Sequence, residues 1–194
     1  IWSDFSQSID TSGSAVYGRV FSSTSKSFET DPFLINQTTS GYQGGWGGTW
    51  ENQTYTTAAL PNNGFAVFWL QSDQGAYTQA ITDGQYYGRF FKKDTNGYYA
   101  TNEIKLSSLA NGSVTYADST TLPNGNLLVI YNHKNTDQTN SLFGKVFSTT
   151  GEIYQDDFLI SNSVDGYSFP RVDALSNDKA IATWQRNSNP VDNF

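Results

Sequence analysis

His133 is the single histidine of the 194-residue chain, and there is no cysteine. An imidazole acting as a general base needs a nucleophile and an orienting partner, and a zinc site needs several nitrogen or sulfur ligands. Neither a second histidine nor a thiolate exists to complete such a site, and no Gly-x-Ser-x-Gly elbow marks a serine nucleophile. His133 follows the apolar run that ends at Tyr131, so it is read as a surface loop residue. A thiol nucleophile, a disulfide framework and a cysteine-ligated zinc are excluded.

Carboxylates are the next candidates. Asp94-Thr95-Asn96-Gly97 opens like a calcium loop, but the further oxygen ligands and the closing acid are missing at the required spacing. A hairpin turn is the expectation there. Asp156-Asp157 and Asp31 precede similar Phe-Leu-Ile triplets and could help to bind a cation. Solvated strand-edge acids are the ordinary account of them. Glycoside hydrolysis needs two carboxylates at a set separation, and nothing singles out one pair among the 18 acids. No catalytic residue, metal or cofactor is assigned, and the chain reads as a non-enzyme.

Binding chemistry is concentrated in one stretch. Between Gly41 and Trp50, the aromatic residues Tyr42, Trp46 and Trp50 stand among five glycines. Indole faces stack on the apolar faces of sugars, and glycine allows compact loops. The three aromatics are therefore expected to contact either a carbohydrate or a protein partner, packing or assembly being the more ordinary outcome. Asn36, Asn52 and Asn111 head N-glycosylation sequons, which matter only if the protein is secreted by a eukaryote.

The elements that would position these residues are strands. Hydrophobic residues make up 37% of the chain and charged ones 15%, while 12 Tyr, 13 Phe and 5 Trp must supply much of the buried area. That balance suits strands with polar outer faces and many turns, and it lacks the Glu, Lys, Ala and Leu of long helices. The net charge of −7, without a basic stripe, speaks against nucleic acid and against an anionic membrane surface. No apolar run approaches the roughly 20 residues that span a bilayer as a helix. The chain opens at Ile1-Trp2 and is read as a processed product or a piece of something longer.

Self-similarity organises the rest. Leu60-Pro61-Asn62-Asn63-Gly64-Phe65-Ala66-Val67-Phe68-Trp69 recurs as Leu122-Pro123-Asn124-Gly125-Asn126-Leu127-Leu128-Val129-Ile130-Tyr131 and as Leu175-Ser176-Asn177-Asp178-Lys179-Ala180-Ile181-Ala182-Thr183-Trp184. Ile1-Trp2 looks like the end of an earlier copy. A second block follows each aromatic: Tyr17-Gly18-Arg19-Val20-Phe21, Tyr87-Gly88-Arg89-Phe90-Phe91 and Phe143-Gly144-Lys145-Val146-Phe147. Hairpin-turn residues come next, at Ser22 to Ser25, Asp94 to Gly97 and Ser148 to Gly151. Third strands then fall at Phe33-Leu34-Ile35, Ile104-Lys105-Leu106 and Phe158-Leu159-Ile160. The pattern predicts an all-β chain of about three tandem four-stranded antiparallel repeats, like β-propeller blades, either open or completed by assembly. The approximate repeats are 1–68, 69–130 and 131–183, with 184–194 starting another.

Tyr-Gly-Arg-Val-Phe, Phe-Leu-Ile and Leu-Pro-Asn-Asn-Gly-Phe-Ala-Val-Phe-Trp together resemble tandem repeats of very large secreted bacterial adhesin-like proteins and ciliate surface proteins. The resemblance spans most of the chain but rests on structural motifs: a hairpin Gly, a turn and an aromatic strand end. It implies an extracellular, surface-associated, propeller-like repeat, and it implies nothing about a catalytic residue. The expected function is an extracellular structural or adhesive repeat, a subunit of a surface filament or coat, partnered by itself or by more of a longer chain. The alternative is a carbohydrate-binding propeller lectin, in which Trp2, Trp69, Tyr131 and Trp184 would face a shared cleft. A polysaccharide-active enzyme is the remote third.

Overall fold

A computed structural model describes residues 1–5, 13–44, 55–73, 83–163 and 169–185. Among them there are only strands and turns, so the chain is all-β. In chain order the strands are β1 (Trp2–Asp4), β2 (Ala15–Gly18), β3 (Phe21–Ser22), β4 (Ser27–Phe28), β5 (Phe33–Leu34) and β6 (Tyr42–Gln43). Next come β7 (Tyr55–Leu60), β8 (Gly64–Ser72), β9 (Gln85–Asp94), β10 (Gly97–Ala100) and β11 (Ile104–Lys105). The last six are β12 (Ser113–Thr121), β13 (Leu127–Lys134), β14 (Asn140–Phe147), β15 (Ile153–Ser163), β16 (Arg171–Ala174) and β17 (Ala180–Thr183).

These strands form a three-stranded sheet β1-β2-β5, a six-stranded sheet around β8 and β9, and a four-stranded meander β12-β13-β14-β15. Two-stranded pieces, β3-β4 and β16-β17, complete the described set. Every recurring Leu-turn signature makes a hairpin. Asn62 and Asn63 both take positive φ, as do Asn177 and Asp178, the left-handed pair that a tight hairpin with right-twisted strands requires. In the middle copy Gly125 takes that conformation instead, at φ 89.

The apolar runs are continuous because the central strands are covered on both faces. Along β8, Val67 and Trp69 face the first sheet, in a cluster with Val16, Ile35 and Phe91. Ala66, Phe68 and Leu70 alternate with them and face the meander, packing with Leu127, Val129, Tyr131 and Phe147. The sheets are therefore stacked face to face, each junction having its own aromatic core. Trp69 and Tyr131 are both fully buried, in different junctions, so they do not share an open cleft. The aromatic needed to close a wide sheet-to-sheet gap is the same one that the lectin reading would place in solvent.

The glycines of the second block do not sit in hairpins. Gly88 and Gly144 lie inside β9 and β14, opposite Phe68 and Phe158 respectively. A Cβ on Gly88 would approach the Phe68 ring to 2.4 Å, and one on Gly144 would approach the Phe158 ring to 2.5 Å. Gly18 is similarly placed beneath the Ile35 side chain, at 3.1 Å. A large side chain on the neighbouring strand lies over the bare backbone, so glycine is needed for space rather than for turning.

Candidate functional site

The basic residue after the second of these glycines, Lys145, stands opposite two residues of the next strand. In the meander, Gly144 pairs with Phe158 and Val146 with Gln155, leaving Asp156 and Asp157 both opposite Lys145. This is a β-bulge, which bends the strand and re-aims side chains. Lys145 is 1% exposed, and its Nζ lies 2.9 Å from Asp156 Oδ1, 3.1 Å from Asp157 Oδ1 and 3.5 Å from Ser108 Oγ. The ammonium thus faces as many acceptors as it has protons, with the Asp157 contact an ion pair rather than a directed hydrogen bond. Asp157 Oδ2 accepts the Ser108 backbone N–H at 2.8 Å and lies 2.6 Å from the Ser108 hydroxyl, which donates to it. Ser108 belongs to the loop leaving β11, so lysine and aspartate of one sheet grip the exit loop of the sheet before it.

The preceding junction has the same construction. Gly88 pairs with Ile104 and Phe91 with Ala100, so Arg89 stands across from the break between β10 and β11, where Glu103 lies. Glu103 accepts the backbone N–H groups of Gln37 and Thr38 and, at 2.6 Å, the Thr38 hydroxyl. In return Gln37 Oε1 accepts the Glu103 N–H at 2.9 Å. Arg89 donates to Thr101 O at 2.8 Å and across the junction to Ile35 O at 2.7 Å. An acid and a base of the second sheet hold the exit loop of the first. Arg19 occupies the same position in the first sheet and donates to Thr30 O, as Arg89 does to Thr101 O. It has Pro32 where the acid would be, and it lies exposed over the Phe28 ring.

The chemistry of these latches is cohesion. No substrate can reach the Lys145 ammonium through its covering, and it is already committed to three protein acceptors. Tyr131, whose hydroxyl is 3.3 Å from Ser107 Oγ, is held in the phenol form by burial, which pushes its ionisation well above the ordinary range. Asp156 is held at about 2, first by the hydrogen bond from Lys145 and then by the Asp157 N–H and the Ser108 hydroxyl. A carboxylate held below its ordinary 3.8 contributes stability that is fully present above that value and is lost as pH falls toward about 2. Urea unfolding between pH 5 and pH 2 should show this loss, with a shallower pH dependence in Asp156→Asn.

Two sequence expectations are corrected here. His133 is not a loop residue: β13 continues to Lys134 because its neighbours pair along its whole length, and His133 is 3% exposed. Its Nδ1 lies 3.1 Å from Asn135 Oδ1, its ring meets Phe143 edge-on, and burial lowers its ionisation. Asp157 is not a solvated edge acid, its side chain being only 4% exposed, whereas Asp156 is open to solvent on one side. The cation that this pair binds is internal. Neither residue was singled out as paired with Lys145, because a one-residue bulge hides the facing relation from simple strand alternation. The signal was present all the same, as a basic residue following Gly in each second block.

Asp94 to Gly97 is the hairpin between β9 and β10, with Asp94 Oδ1 accepting the Asn96 N–H and Gly97 at φ 123. Tyr42 is half-buried in β6, where it pairs with Ser72 and bridges to Ser14, tying the first sheet to the second. Trp46, Trp50 and Asn52 lie outside the described residues. Asn36 is buried, its Oδ1 accepting the Val16 N–H and its Nδ2 donating to Thr38 O, whereas Asn111 is exposed in the turn before β12.

An open groove of about 780 Å³ lies between residues 29–34 and the β9–β10 hairpin. Phe33, Phe91 and Tyr98 line it, and a Lys93–Glu29 ion pair of 2.7 Å joins its walls.

No family profile and no curated protein matches the chain. Among solved structures it is similar to a Hadza microbial sialidase, with a TM-score of 0.54 and 8% identity, over 82% of this chain. The match covers 33% of the sialidase chain. At that identity the likeness speaks to fold alone, and it agrees with an all-β, propeller-type stacking of sheets.

Proposed function

We propose that the chain is a structural or adhesive module of an extracellular surface: three four-stranded, blade-like repeats and the start of a fourth, acting as a stackable unit. The latch carries this reading. The best-formed polar cluster among the described residues is turned inward and joins one sheet to the next, while apolar side chains remain exposed on the outermost sheets. Phe21 and Phe28 on the β3-β4 hairpin, and Leu175 and Ile181 on the β16-β17 hairpin, are each at least 46% exposed. Exposed apolar area of this kind marks contact surfaces.

The groove beside Tyr98 favours a second reading, a glycan-binding module, since aromatic faces and paired charges suit sugar rings and hydroxyls. Negative-stain electron microscopy of native material, followed by glycan-array binding, separates the two. Filaments or sheets without glycan retention are expected. Discrete particles that retain a glycan, and lose it in Tyr98→Ala, would replace the structural reading with the glycan-binding one.

A further inference from the structure

Lys145 is the one lysine among the basic residues that follow the second-block glycines, and its surroundings differ from those of the other two. Arg19 donates to Thr30 O, and Arg89 to Thr101 O and Ile35 O. A guanidinium stays charged at neutral pH and is no nucleophile, whereas a buried lysine amine gives up its proton readily. The Lys145 nitrogen lies against two carboxyl groups, in a side chain only 1% exposed.

Each part of an amide-forming site surrounds that nitrogen. The electrophile is Asp157, whose side chain is 4% exposed. Its Oδ1 is 3.1 Å from Lys145 Nζ yet has no hydrogen-bond partner, so nothing holds the nitrogen on the oxygen and away from the carboxyl carbon. Its Oδ2 receives the Ser108 N–H at 2.8 Å and the Ser108 hydroxyl at 2.6 Å, two donors placed to stabilise an oxyanion. Asp156 Oδ1 is 2.9 Å from the same nitrogen, and its side chain is 65% exposed, so it can take up a proton and release it again.

We propose that Lys145 and Asp157 join through an intramolecular amide bond between Lys145 Nζ and Asp157 Cγ. A proton first passes from the ammonium to Asp157 Oδ1, leaving a neutral amine and a neutral acid, which burial favours over the charged pair. The amine lone pair attacks Cγ, and the two Ser108 donors hold the oxyanion that forms on Oδ2. Asp156 takes one of the two remaining nitrogen protons and returns it to Oδ1. The Cγ–Oδ1 bond then breaks and water leaves. One amide N–H remains, and the step needs no oxidant, reductant or added reactant. Among the described strands β15 is an edge of the meander, so the bond fastens a strand that has a neighbour on one side only. The ion pair described above is the state before the bond, and freshly folded chain of full sequence mass is the reference for its stability.

Intact mass spectrometry of the denatured chain, after the folded protein has stood at neutral pH for several days, tests the bond. The wild type should weigh one water less than its sequence. Digestion should yield a branched peptide linking Lys145 to Asp157, with no tryptic cut after Lys145. Lys145→Arg, which keeps the charge, should hold its full mass under the same treatment. Asp156→Ala alters an exposed side chain and should fold, with bond formation slowed about 10²–10⁴-fold, the range of general acid–base help. A wild-type rate in that variant overturns the proton transfer assigned to Asp156. A wild-type chain of full mass overturns the bond itself. So does water loss without the branched peptide, which is the mark of an aspartyl succinimide elsewhere in the chain.

Discussion

Asp157→Ala should destabilise the fold by about 3–5 kcal/mol, the range for removing one partner of a buried ion pair. The substitution leaves the Lys145 ammonium 1% exposed with Asp156 as its single remaining carboxylate, and it strips the Ser108 N–H of its acceptor. Most of the cost is the stranded charge rather than the lost attraction, because transfer of an ion from water is expensive wherever it is not repaid. A double variant, Lys145→Met with Asp157→Leu, should therefore recover most of the loss. Asp156, open to solvent, can return to water at little cost. Urea unfolding of the single and double variants checks this. A double variant as unstable as Asp157→Ala would show that the hydrogen bond to Ser108, and not the charge, is what matters.

Phe68→Ala is the second large effect, at about 3–5 kcal/mol for an aromatic removed from a dry core. The Phe68 ring is fully buried, with centroids 6.0 Å from Phe90 and 5.7 Å from Phe147, so it joins two sheets. It also covers Gly88, which gives the prediction a sign that simple cavity formation lacks. In the wild-type background Gly88→Ala should cost about 1–3 kcal/mol through overpacking. Once Phe68 has been replaced by alanine, the obstruction is gone and the added methyl fills part of the space. Gly88→Ala should then be neutral or stabilising, with a coupling of about 0.5–3 kcal/mol in a double-mutant cycle. Thermal or urea unfolding of the four proteins gives the coupling directly.

The all-β class was legible in the sequence, and each recurring Leu-turn block is a hairpin in the structure. Alternating Leu-turn-aromatic blocks can bury their apolar residues only as hairpins, and the Asn-Asn and Asn-Asp turns admit the left-handed pair that hairpins require. The same pattern located the strands that begin at Gly64 and Leu127, stopping three residues short of their ends at Ser72 and Lys134. It also identified Asp94 to Gly97 as a hairpin turn.

Facing relations were decided only in the tertiary structure. Whether Trp69 and Tyr131 end in a cleft or a core depends on which sheet covers them, and strand periodicity does not say what lies across a sheet. His133 looked like loop because polar residues after an apolar run usually are, yet neighbours paired on both sides extend β13 over it. The latch is the clearest case. Lys145 and the Asp156-Asp157 pair are separated along the chain by a hairpin, and Ser108 is far from both. A β-bulge and the stacking of sheets bring them within hydrogen-bonding distance. Local sequence specifies strands through short-range periodicity, but charge pairing depends on register and on which sheet lies beside which, and those are set by the whole chain packing at once.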